Sequence, residues 1–448
     1  MDSNSARPPN ISDLWAITDF TPNDAQANAI RHVAGPLYLT AGPGSGKTRV
    51  LLWRTLNLVV YCGVRPSEVF LSTFTEKAAL QLREGLQSLL GIVTNLTGVN
   101  YDLGEMYIGT VHSLCRRLMT DRHIRSNRER IRPPHLLDDL DQYFHLGDNR
   151  FWLGLLDAAG LNSDSGNQTI NAIFGDNSQS KHVAASHCIA FFNRIAEEQI
   201  DPGQALARLL VDHRVQDEIA ACQVDAVGLS TMLSLAVAYY DRLRAEGVTT
   251  FSLLQQHALD ALQQAPSSRF RYIIIDEYQD TNAIQERLFF QLAQDHGNMC
   301  VVGDDDQSLY RFRGATVENF VQFPQRCRDQ LGLAPQRISL STNYRSRSDI
   351  VDFYTRFIDC CDWQMEAGRN AFYRVVDKDI QAHRQDALSA VVATPAGEPT
   401  TVFAQIAALV RSLIDQGTVA DPNQVAFLYP SLQYRGKMDN TPDVVDFA

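Results

Sequence analysis

Residues 40–48 carry the clearest chemical signal, reading Thr-Ala-Gly-Pro-Gly-Ser-Gly-Lys-Thr directly after the apolar run 36–39. Glycines in such a loop let backbone N–H groups close around phosphates. Lys47 can reach the β- and γ-phosphate oxygens, and the Thr48 hydroxyl can hold Mg²⁺. The strict pattern has glycine where this chain has Ala41. A plain glycine-rich turn is the alternative, but the spacing favours a site for a nucleoside triphosphate.

Two adjacent carboxylates, Asp276 and Glu277, follow the apolar run 273–275 and suit the other half of a phosphate-cleaving site. In a phosphate-loop ATPase the first carboxylate holds Mg²⁺ and the second polarises the attacking water. Taken alone, the pattern is equally compatible with a strand that ends in a solvated acidic turn. Together with residues 40–48, the pair predicts ATP hydrolysis.

The composition is that of a globular protein with a sizeable core, since 45% of the 448 residues are hydrophobic and 21% are charged. The length predicts two to four domains. A net charge of −12 provides no global positive field, so a nucleic-acid site would have to be a local groove. No apolar run reaches the roughly 20 residues that a bilayer requires, and the N-terminal residues lack the pattern of a secretory signal. The eight cysteines are scattered without a C-x-x-C pattern, which favours a cytoplasmic protein with reduced thiols and no zinc or iron–sulfur cluster.

Buried parallel strands are expected to position these groups. Short apolar runs, each followed by polar residues, predict strands at residues 69–74, 106–110, 272–275 and 299–302. Helical patterns lie between them, at 76–90 and 284–294. This alternation predicts a doubly wound α/β domain.

The domain boundaries are predicted from where this alternation changes. Residues 116–247 are helix-rich with little strand signal, and we expect a helical subdomain inserted between residues 1–115 and 248–330 of the α/β domain. A second α/β unit is expected over residues 331–448. Its predicted elements are strands near 338–340, 390–393 and 425–429 and a helix near 402–416.

The segment 276–282, Asp-Glu-Tyr-Gln-Asp-Thr-Asn, resembles the nucleotide-binding motif of the UvrD/Rep family of superfamily 1 DNA helicases. Six further segments resemble motifs of this family in the same order, namely 21–26, 41–49, 73–79, 109–113, 302–315 and 340–346. Alanine is usual at the first position of the family's phosphate loop, so Ala41 agrees with the resemblance. The resemblance implies a RecA-like P-loop NTPase domain with an inserted helical subdomain and an incomplete second RecA-like domain.

ATP and Mg²⁺ are the cofactors that this resemblance implies. Gln26 would read the adenine, Arg49 would lie beside the base and Tyr344 would stack on it. The residues expected to bind the nucleotide are Gln26, Gly42, Gly44, Ser45, Gly46, Lys47, Thr48, Arg49 and Tyr344. Thr48 and Asp276 are the expected ligands of Mg²⁺.

Three residues are expected to act on the γ-phosphate. Glu277 would activate the attacking water, and Gln307 would contact both that water and the γ-phosphate. Arg345 would supply positive charge from the second lobe, as an arginine finger in cis.

Single-stranded DNA is the expected partner. Rings and guanidinium groups alternate at residues 310–313, Tyr-Arg-Phe-Arg, and suit stacked bases and phosphates. The resemblance implies DNA contacts by Phe74, His112, Tyr310, Phe312 and Arg313, although a core or capping role suits His112 equally well. Two departures stand out, since Glu76 replaces the family's usual Asn and Phe312 stands where many relatives carry Trp. Phe251 is a weaker candidate, because the segment around it lacks the family's acidic residues.

The leading functional hypothesis is an ATP-driven translocase of the 3′→5′ UvrD-like class, acting on single-stranded DNA and 3′-tailed duplexes. Its direction comes from the family alone. The alternative is a nucleotide-dependent DNA-binding or regulatory module that does not unwind DNA. A nuclease has little support, and the sequence does not distinguish repair, recombination and defence.

Residues 425–431 resemble the strand before a further insertion in the family's second lobe, and nothing after them matches. A fragment, a naturally shortened product and one half of a split system, with a partner protein supplying the missing lobe, all agree with this. On its own the chain is expected to bind nucleotide but to unwind duplex DNA poorly, since the family's second arginine for the γ-phosphate lies among the missing motifs.

Overall fold

The computed structural model describes residues 10–121, 134–264, 269–311, 314–364, 373–384, 391–393 and 397–428. The chain forms two compact units, residues 1–385 and 386–448, which are described in turn. Among the described residues no single helix is long and apolar enough to cross a membrane. One pair of helices, His213–Ala221 and Ala226–Glu246, satisfies length and composition only together and is bent by 116°.

A six-stranded sheet organises the first unit. The strands of this unit are β1 (Leu37–Ala41), β2 (Val69–Thr73), β3 (Tyr107–Thr110), β4 (His135–Leu137), β5 (Val248–Thr250), β6 (Tyr272–Ile275), β7 (Met299–Gly303), β8 (Gln336–Leu340), β9 (Thr342–Arg347) and β10 (Gln381–Arg384). The large sheet has the order β3-β2-β6-β7-β1-β8, and each neighbouring pair is parallel. The four strands predicted from apolar runs are present to within one residue at each end.

Both faces of this sheet are buried, because alternate side chains of each strand enter different apolar clusters. In β1, Leu37 and Leu39 pack in one cluster while Tyr38 packs in the other. In β6, Ile274 belongs to the first cluster and Ile273 to the second. Continuous apolar strands of this kind are typical of a parallel sheet covered by helices on both sides.

The covering helices come from both sides of the helix-rich stretch. Their bounds are α1 (Ile11–Ile17), α2 (Asp24–Arg31), α3 (Lys47–Leu56), α4 (Glu76–Thr97), α5 (Val111–Thr120), α13 (Phe251–Gln264), α14 (Ala283–Ala293), α15 (Val317–Val321) and α16 (Phe323–Leu331). Helices α1 to α4 pack in the first apolar cluster, and α5, α13, α14, α15 and α16 pack in the second. The predicted doubly wound α/β architecture is therefore confirmed.

The stretch between α5 and α13 is helical in its described part and has its own core. Its helices are α6 (Asp139–Gly147), α7 (Asn149–Ala158), α8 (Gly166–Ile173), α9 (Lys181–Glu197), α10 (Pro202–Val211), α11 (His213–Ala221) and α12 (Ala226–Glu246). Trp152, Phe192 and Tyr239 are among the fully buried side chains of this core. The short parallel pair β4–β5, which the sequence did not predict, joins the two ends of the stretch. The domain boundaries proposed from the sequence stay predictions.

One strand was assigned to the wrong sheet. The strand predicted near residues 338–340 exists as β8, but it pairs in parallel with β1 and so forms an edge of the first sheet. An apolar run identifies a strand without identifying its partner, because strand pairing is non-local. After β8, strands β9 and β10 form a separate parallel pair, with helix α17 (Ser348–Asp359) between them in the chain.

The second unit contains α18 (Pro399–Asp415), which confirms the helix predicted near residues 402–416. A short 3₁₀ turn, Pro422–Gln424, follows it. The strands predicted near 390–393 and 425–429 are not found in their described parts, residues 391–393 and 425–428. Residues 390 and 429 lie outside the described ranges. Apolar residues favour a strand, but a strand forms only where a neighbour satisfies its backbone groups.

Candidate functional site

The predicted phosphate loop, residues 42–46, lies between β1 and α3. Gly44 and Gly46 adopt left-handed backbone angles, with φ of 66° and 84°, which glycine tolerates without steric cost. Helix α3 begins at Lys47, so its first N–H groups face the same space as the loop and favour an anion. A Cβ on Gly44 would come within 2.6 Å of Asn343 Oδ1, so the close approach of β9 also requires glycine. The buried Ser45 hydroxyl has no hydrogen-bond partner among the described residues.

Gln26 connects the start of α2 to this loop. Its Nε2 donates to the Ser45 carbonyl at 3.0 Å, and its Oε1 accepts from the Asn23 N–H at 3.1 Å. Asn23 in turn donates its Nδ2 to the Tyr344 hydroxyl at 2.9 Å. The structure therefore brings Gln26 and Tyr344, which are predicted to bind the base, to one side of the loop.

Arg49 lies over the ring of Phe20, with 4.5 Å between the guanidinium carbon and the ring centroid. Phe20 stacks on Trp53 at 5.1 Å. The Tyr344 ring packs against His383 at 4.9 Å. Sequence reasoning missed Phe20, Trp53 and His383, because single aromatic residues outside a motif give no signal of their own.

The predicted pair of carboxylates follows β6. Asp276 is buried, and its Oδ1 accepts the Glu277 N–H at 3.1 Å. Glu277 has a φ of 51°, a left-handed conformation that is uncommon for a residue with a side chain and is often found at functional sites. Its Oε2 lies 3.1 Å from Lys47 Nζ and accepts Gln279 Nε2 at 2.9 Å. The structure thus joins the lysine of the loop to the predicted general base.

This part of the site has more negative than positive charge. Burial, and then the charge of Glu277, raises the pKa of Asp276. The same two causes raise the pKa of Asp280 to about 7, and Asp280 Oδ1 has no hydrogen-bond partner among the described residues. Lys47 is the cation that opposes these carboxylates. A divalent cation would relieve this excess.

The donor set suits Mg²⁺ only with help from phosphate oxygens. In the described ranges, no group of three or more His, Cys, Asp or Glu side chains is arranged to hold a metal ion. Mg²⁺ is usually held by one or two carboxylates together with substrate phosphates and water. Asp276 and the Thr48 hydroxyl are groups of the kind that this pattern needs, and their role as Mg²⁺ ligands stays a prediction.

Gln307 belongs to a network that starts at the same carboxylates. Its Nε2 donates to Asp304 Oδ2 at 2.5 Å, and the Asp304 N–H donates to Gln279 Oε1 at 3.0 Å. A Cβ on Gly303 would come within 2.6 Å of Gln279 Oε1, so glycine there makes this contact possible. The contacts form a continuous series from Lys47 to Gln307. Sequence reasoning did not assign Gln279 or Asp304 a role.

Arg345 lies on β9, which runs against the phosphate loop. The Tyr344 N–H donates to the Gly44 carbonyl at 3.0 Å, and a Cβ on Gly44 would come within 2.7 Å of the Arg345 Cβ. The Arg345 side chain is exposed and has no ion-pair partner among the described residues. The Cβ of Arg345 therefore lies beside the loop, on a side chain that is exposed to solvent.

A cavity of about 730 Å³ collects the described residues that were predicted to contact DNA. Phe74, His112 and Tyr310 line it, and the ring centroids of Phe74 and Tyr310 are 4.8 Å apart. Phe312 and Arg313 lie outside the described residues. Several amide side chains that the sequence did not single out also line it: Gln142, Asn193 and Gln255.

His112 makes contacts on the wall of this cavity. Its Nε2 lies 2.8 Å from Gln255 Nε2, and its ring meets Phe251 edge to face at 4.7 Å. Burial lowers the pKa of His112, so the ring is neutral near pH 7. It therefore offers a stacking or hydrogen-bonding surface rather than a positive charge. The weaker candidate Phe251 lines the same cavity.

Carboxylates lie in and next to the cavity. Glu76 follows the lining residue Thr75 in the chain and accepts a hydrogen bond from the Thr110 hydroxyl at 2.7 Å. Glu197 on α9 lines the cavity and accepts a hydrogen bond from Ser252 at 3.2 Å, and burial raises its pKa to about 7. Arg194 is a cation on the same wall. The cavity is therefore a local groove of mixed charge in an acidic protein.

The comparisons with known proteins agree with the motifs. The chain belongs to the UvrD/REP helicase N-terminal domain family, whose model matches residues 22–328. It is 30% identical over 360 residues to the ATP-dependent DNA helicase UvrD1 of Mycobacterium tuberculosis. The aligned region covers 77% of this chain and 40% of that protein. It is 31% identical over 332 residues to the ATP-dependent DNA helicase PcrA of Bacillus subtilis, covering 73% and 38% of the two chains. With DNA helicase II of Escherichia coli the identity is 30% over 343 residues, covering 75% and 40%.

The chain therefore spans about two fifths of the length of these relatives. Family membership confirms the predicted resemblance to the UvrD/Rep family, and the matched residues 22–328 include six of the seven segments in whole or in large part. The roles of individual residues stay predictions.

Proposed function

We propose that this chain hydrolyses ATP and couples the reaction to movement along single-stranded DNA, as part of a motor of the 3′→5′ UvrD-like class. One observation carries the proposal. Gln307, in the network of the nucleotide site, and Tyr310, in the wall of the cavity, are three residues apart on one short segment. A change at the γ-phosphate that moves Gln307 would therefore also move a stacking platform.

The nucleotide steps follow from the contacts of Lys47. In the structure its ammonium pairs with Glu277, but a triphosphate would draw it to the β- and γ-phosphate oxygens. Glu277 would then be free to orient and deprotonate the attacking water. Thr48 and Asp276 would hold Mg²⁺, which would neutralise charge that develops on the phosphate oxygens.

Two segments of the chain would contact the γ-phosphate. Gln307 would contact it from the segment after β7, and the exposed Arg345 would approach from β9. After hydrolysis, release of the phosphate would leave Gln307 and Arg345 without the group that they contact. We propose that this loss relaxes the segment that holds Tyr310 and lets the bases in the cavity advance.

Nucleotide-dependent DNA binding tests this coupling. The anisotropy of a fluorescein-labelled oligo(dT) should be titrated with the 448-residue chain alone, with ADP, and with a non-hydrolysable ATP analogue. We expect the affinity of the chain for oligo(dT) in the presence of ADP to differ at least several-fold from its affinity in the presence of the analogue. Equal affinities would contradict the coupling. Nucleotide-dependent binding without any DNA-stimulated hydrolysis would instead favour a regulatory module.

Phe74→Ala is expected to weaken oligo(dT) binding about ten-fold, since stacking of one base on an aromatic ring contributes about 1–3 kcal/mol. The ring of Phe74 lies against Tyr310 in the cavity, so its loss removes one of two neighbouring platforms. The measurement is the same anisotropy titration. Phe144→Ala is the matched control, because Phe144 is 65% exposed on α6 and does not line the cavity. Unchanged binding by a folded Phe74→Ala protein would assign this ring to packing alone.

Glu76→Gln is expected to tighten oligo(dT) binding about three-fold at low salt and less at high salt. The substitution removes a negative charge near the proposed strand path, and salt screens such charges over about 10 Å. The amide oxygen can still accept the Thr110 hydrogen bond, so the local structure is kept. Glu84→Gln, an exposed change further along α4, is the control. An equal effect of both changes would show that only net charge matters.

A further inference from the structure

A single ammonium contacts three consecutive carboxylates directly after β7. Lys378 Nζ lies 3.2 Å from Asp304 Oδ1, 2.8 Å from Asp305 Oδ1 and 2.5 Å from Asp306 Oδ2. The Lys378 side chain is only 4% exposed, and those of Asp304, Asp305 and Asp306 are 0%, 1% and 9% exposed. Lys378 lies outside every motif described above.

A second cation and one backbone group hold the same segment. Arg374 Nε donates to Asp306 Oδ1 at 2.8 Å, and its terminal nitrogen donates to Asp359 Oδ1 at 2.7 Å. The Val375 N–H donates to Asp305 Oδ2 at 2.7 Å. Hydrogen bonds and ion pairs therefore connect residues 374–378 to the aspartates.

The charges in this cluster do not cancel. Four carboxylates, counting Asp359, face two cations. Burial raises the pKa of Asp305 even though Lys378 opposes the shift. Burial by itself would lower the pKa of Lys378, but the charges of Asp305, Asp304 and Asp306 outweigh it and raise the pKa above its ordinary value. Loss of the ammonium would leave buried carboxylates without compensation, which is strongly unfavourable.

Asp304 connects the cluster to the nucleotide site. Its Oδ1 accepts from Lys378, its Oδ2 accepts from Gln307 Nε2, and its N–H donates to Gln279, which holds Glu277. The ammonium therefore fixes the carboxylate that in turn orients Gln307. Without it, Asp304 could rotate and carry the Gln307 side chain with it.

We propose that Lys378 is a positioning residue for ATP hydrolysis, which holds Asp304 so that Gln307 faces the γ-phosphate, with Arg374 supporting it. This inference rests on the proposed function. Lys378 also compensates the aspartates beside a site that must accept a negatively charged triphosphate. It touches neither substrate nor the attacking water and acts through Asp304.

Lys378→Met tests the proposal, because methionine keeps most of the length and removes the charge. We expect kcat for ATP to fall about 10²-fold, the size of effect that a displacement of about 1 Å can have, while the affinity for a fluorescent ATP analogue changes less than three-fold. Lys181→Met is the matched control, since Lys181 also makes two hydrogen bonds but lies in the helical stretch. An unchanged kcat in folded Lys378→Met protein would overturn the proposal.

A double variant, Lys378→Met with Asp305→Asn, covers the case in which the single variant does not fold. It removes one positive and one negative charge, so the net charge of the cluster is kept. We expect a melting temperature near that of the unaltered chain with kcat still reduced at least ten-fold, because Asp304 lacks its partner. Full recovery of kcat would show that only the charge balance matters and would overturn the positioning role.

Hydrogen exchange separates failure of this inference from failure of the proposed function. If the unaltered chain does not hydrolyse ATP, the proposed function fails, but the role of Lys378 in holding Asp304 can still be measured. The backbone amides of residues 304–308 should then exchange at least ten-fold faster in the double variant, while those of β1 do not change. Unaltered exchange at residues 304–308 would overturn the inference independently of activity.

Discussion

The Glu277→Gln protein is expected to bind ATP about as tightly as the unaltered chain and to hydrolyse it about 10²–10⁴-fold more slowly. The amide cannot accept a proton from the attacking water, yet it keeps the size of the carboxylate. Its oxygen can still accept the hydrogen bond from Gln279. Loss of the ion pair with Lys47 leaves that lysine available to the phosphates, so binding should not weaken.

Single-turnover hydrolysis and equilibrium binding of ATP measure the two quantities separately. Glu84→Gln is the control, because it makes the same change on an exposed part of α4. Equal single-turnover rates for Glu277→Gln and the unaltered chain would contradict the role of Glu277 as base. Loss of nucleotide binding would instead assign Glu277 to the structure of the loop.

Arg345→Ala is expected to have an effect at least as large, with a fall of about 10³–10⁵-fold in the rate of ATP hydrolysis. The guanidinium would stabilise charge that spreads over the γ-phosphate oxygens in the transition state. No carboxylate in the described part of the chain forms an ion pair with Arg345, so an ion pair within the protein does not explain why an arginine lies next to the loop. Arg345→Lys should recover only part of the rate, since an ammonium lacks the planar donors of arginine.

The control for Arg345 is Arg328→Ala on α16, where the side chain is exposed and contacts Gln325. Rates should be compared at saturating ATP, so that a change in affinity does not enter. A rate for Arg345→Ala within three-fold of the unaltered chain would remove the arginine from the catalytic residues. It would also weaken the proposal that β9 reports on the γ-phosphate.

Local patterns predicted those parts of the fold that depend on local interactions. The strands β2, β3, β6 and β7 were predictable because each is a continuous apolar run that ends at polar residues. The partner of β8 was not, because pairing with β1 joins residues about 300 positions apart. The strand pair β4–β5 was missed for the same reason, since each member has three residues and neither has a clear pattern.

The residues of the candidate site also fall into those that a local pattern identifies and those that only the fold brings together. Lys47, Asp276 and Glu277 were found because spacing within one segment identifies them. Lys378 and Gln255 were missed, because each is a single polar residue whose meaning comes from side chains more than 70 and more than 140 positions away respectively. Only the folded chain shows that such residues complete a network.

The most direct test of the coupling between the two sites is the steady-state rate of ATP hydrolysis by the 448-residue chain, with and without saturating oligo(dT). Glu277→Gln protein, purified in parallel, gives the background from contaminating ATPases. We predict a rate that rises on addition of oligo(dT) and that is absent from the Glu277→Gln sample. A rate that stays the same when oligo(dT) is shown to be bound would contradict the claim that residues 307–310 link the nucleotide site to the cavity.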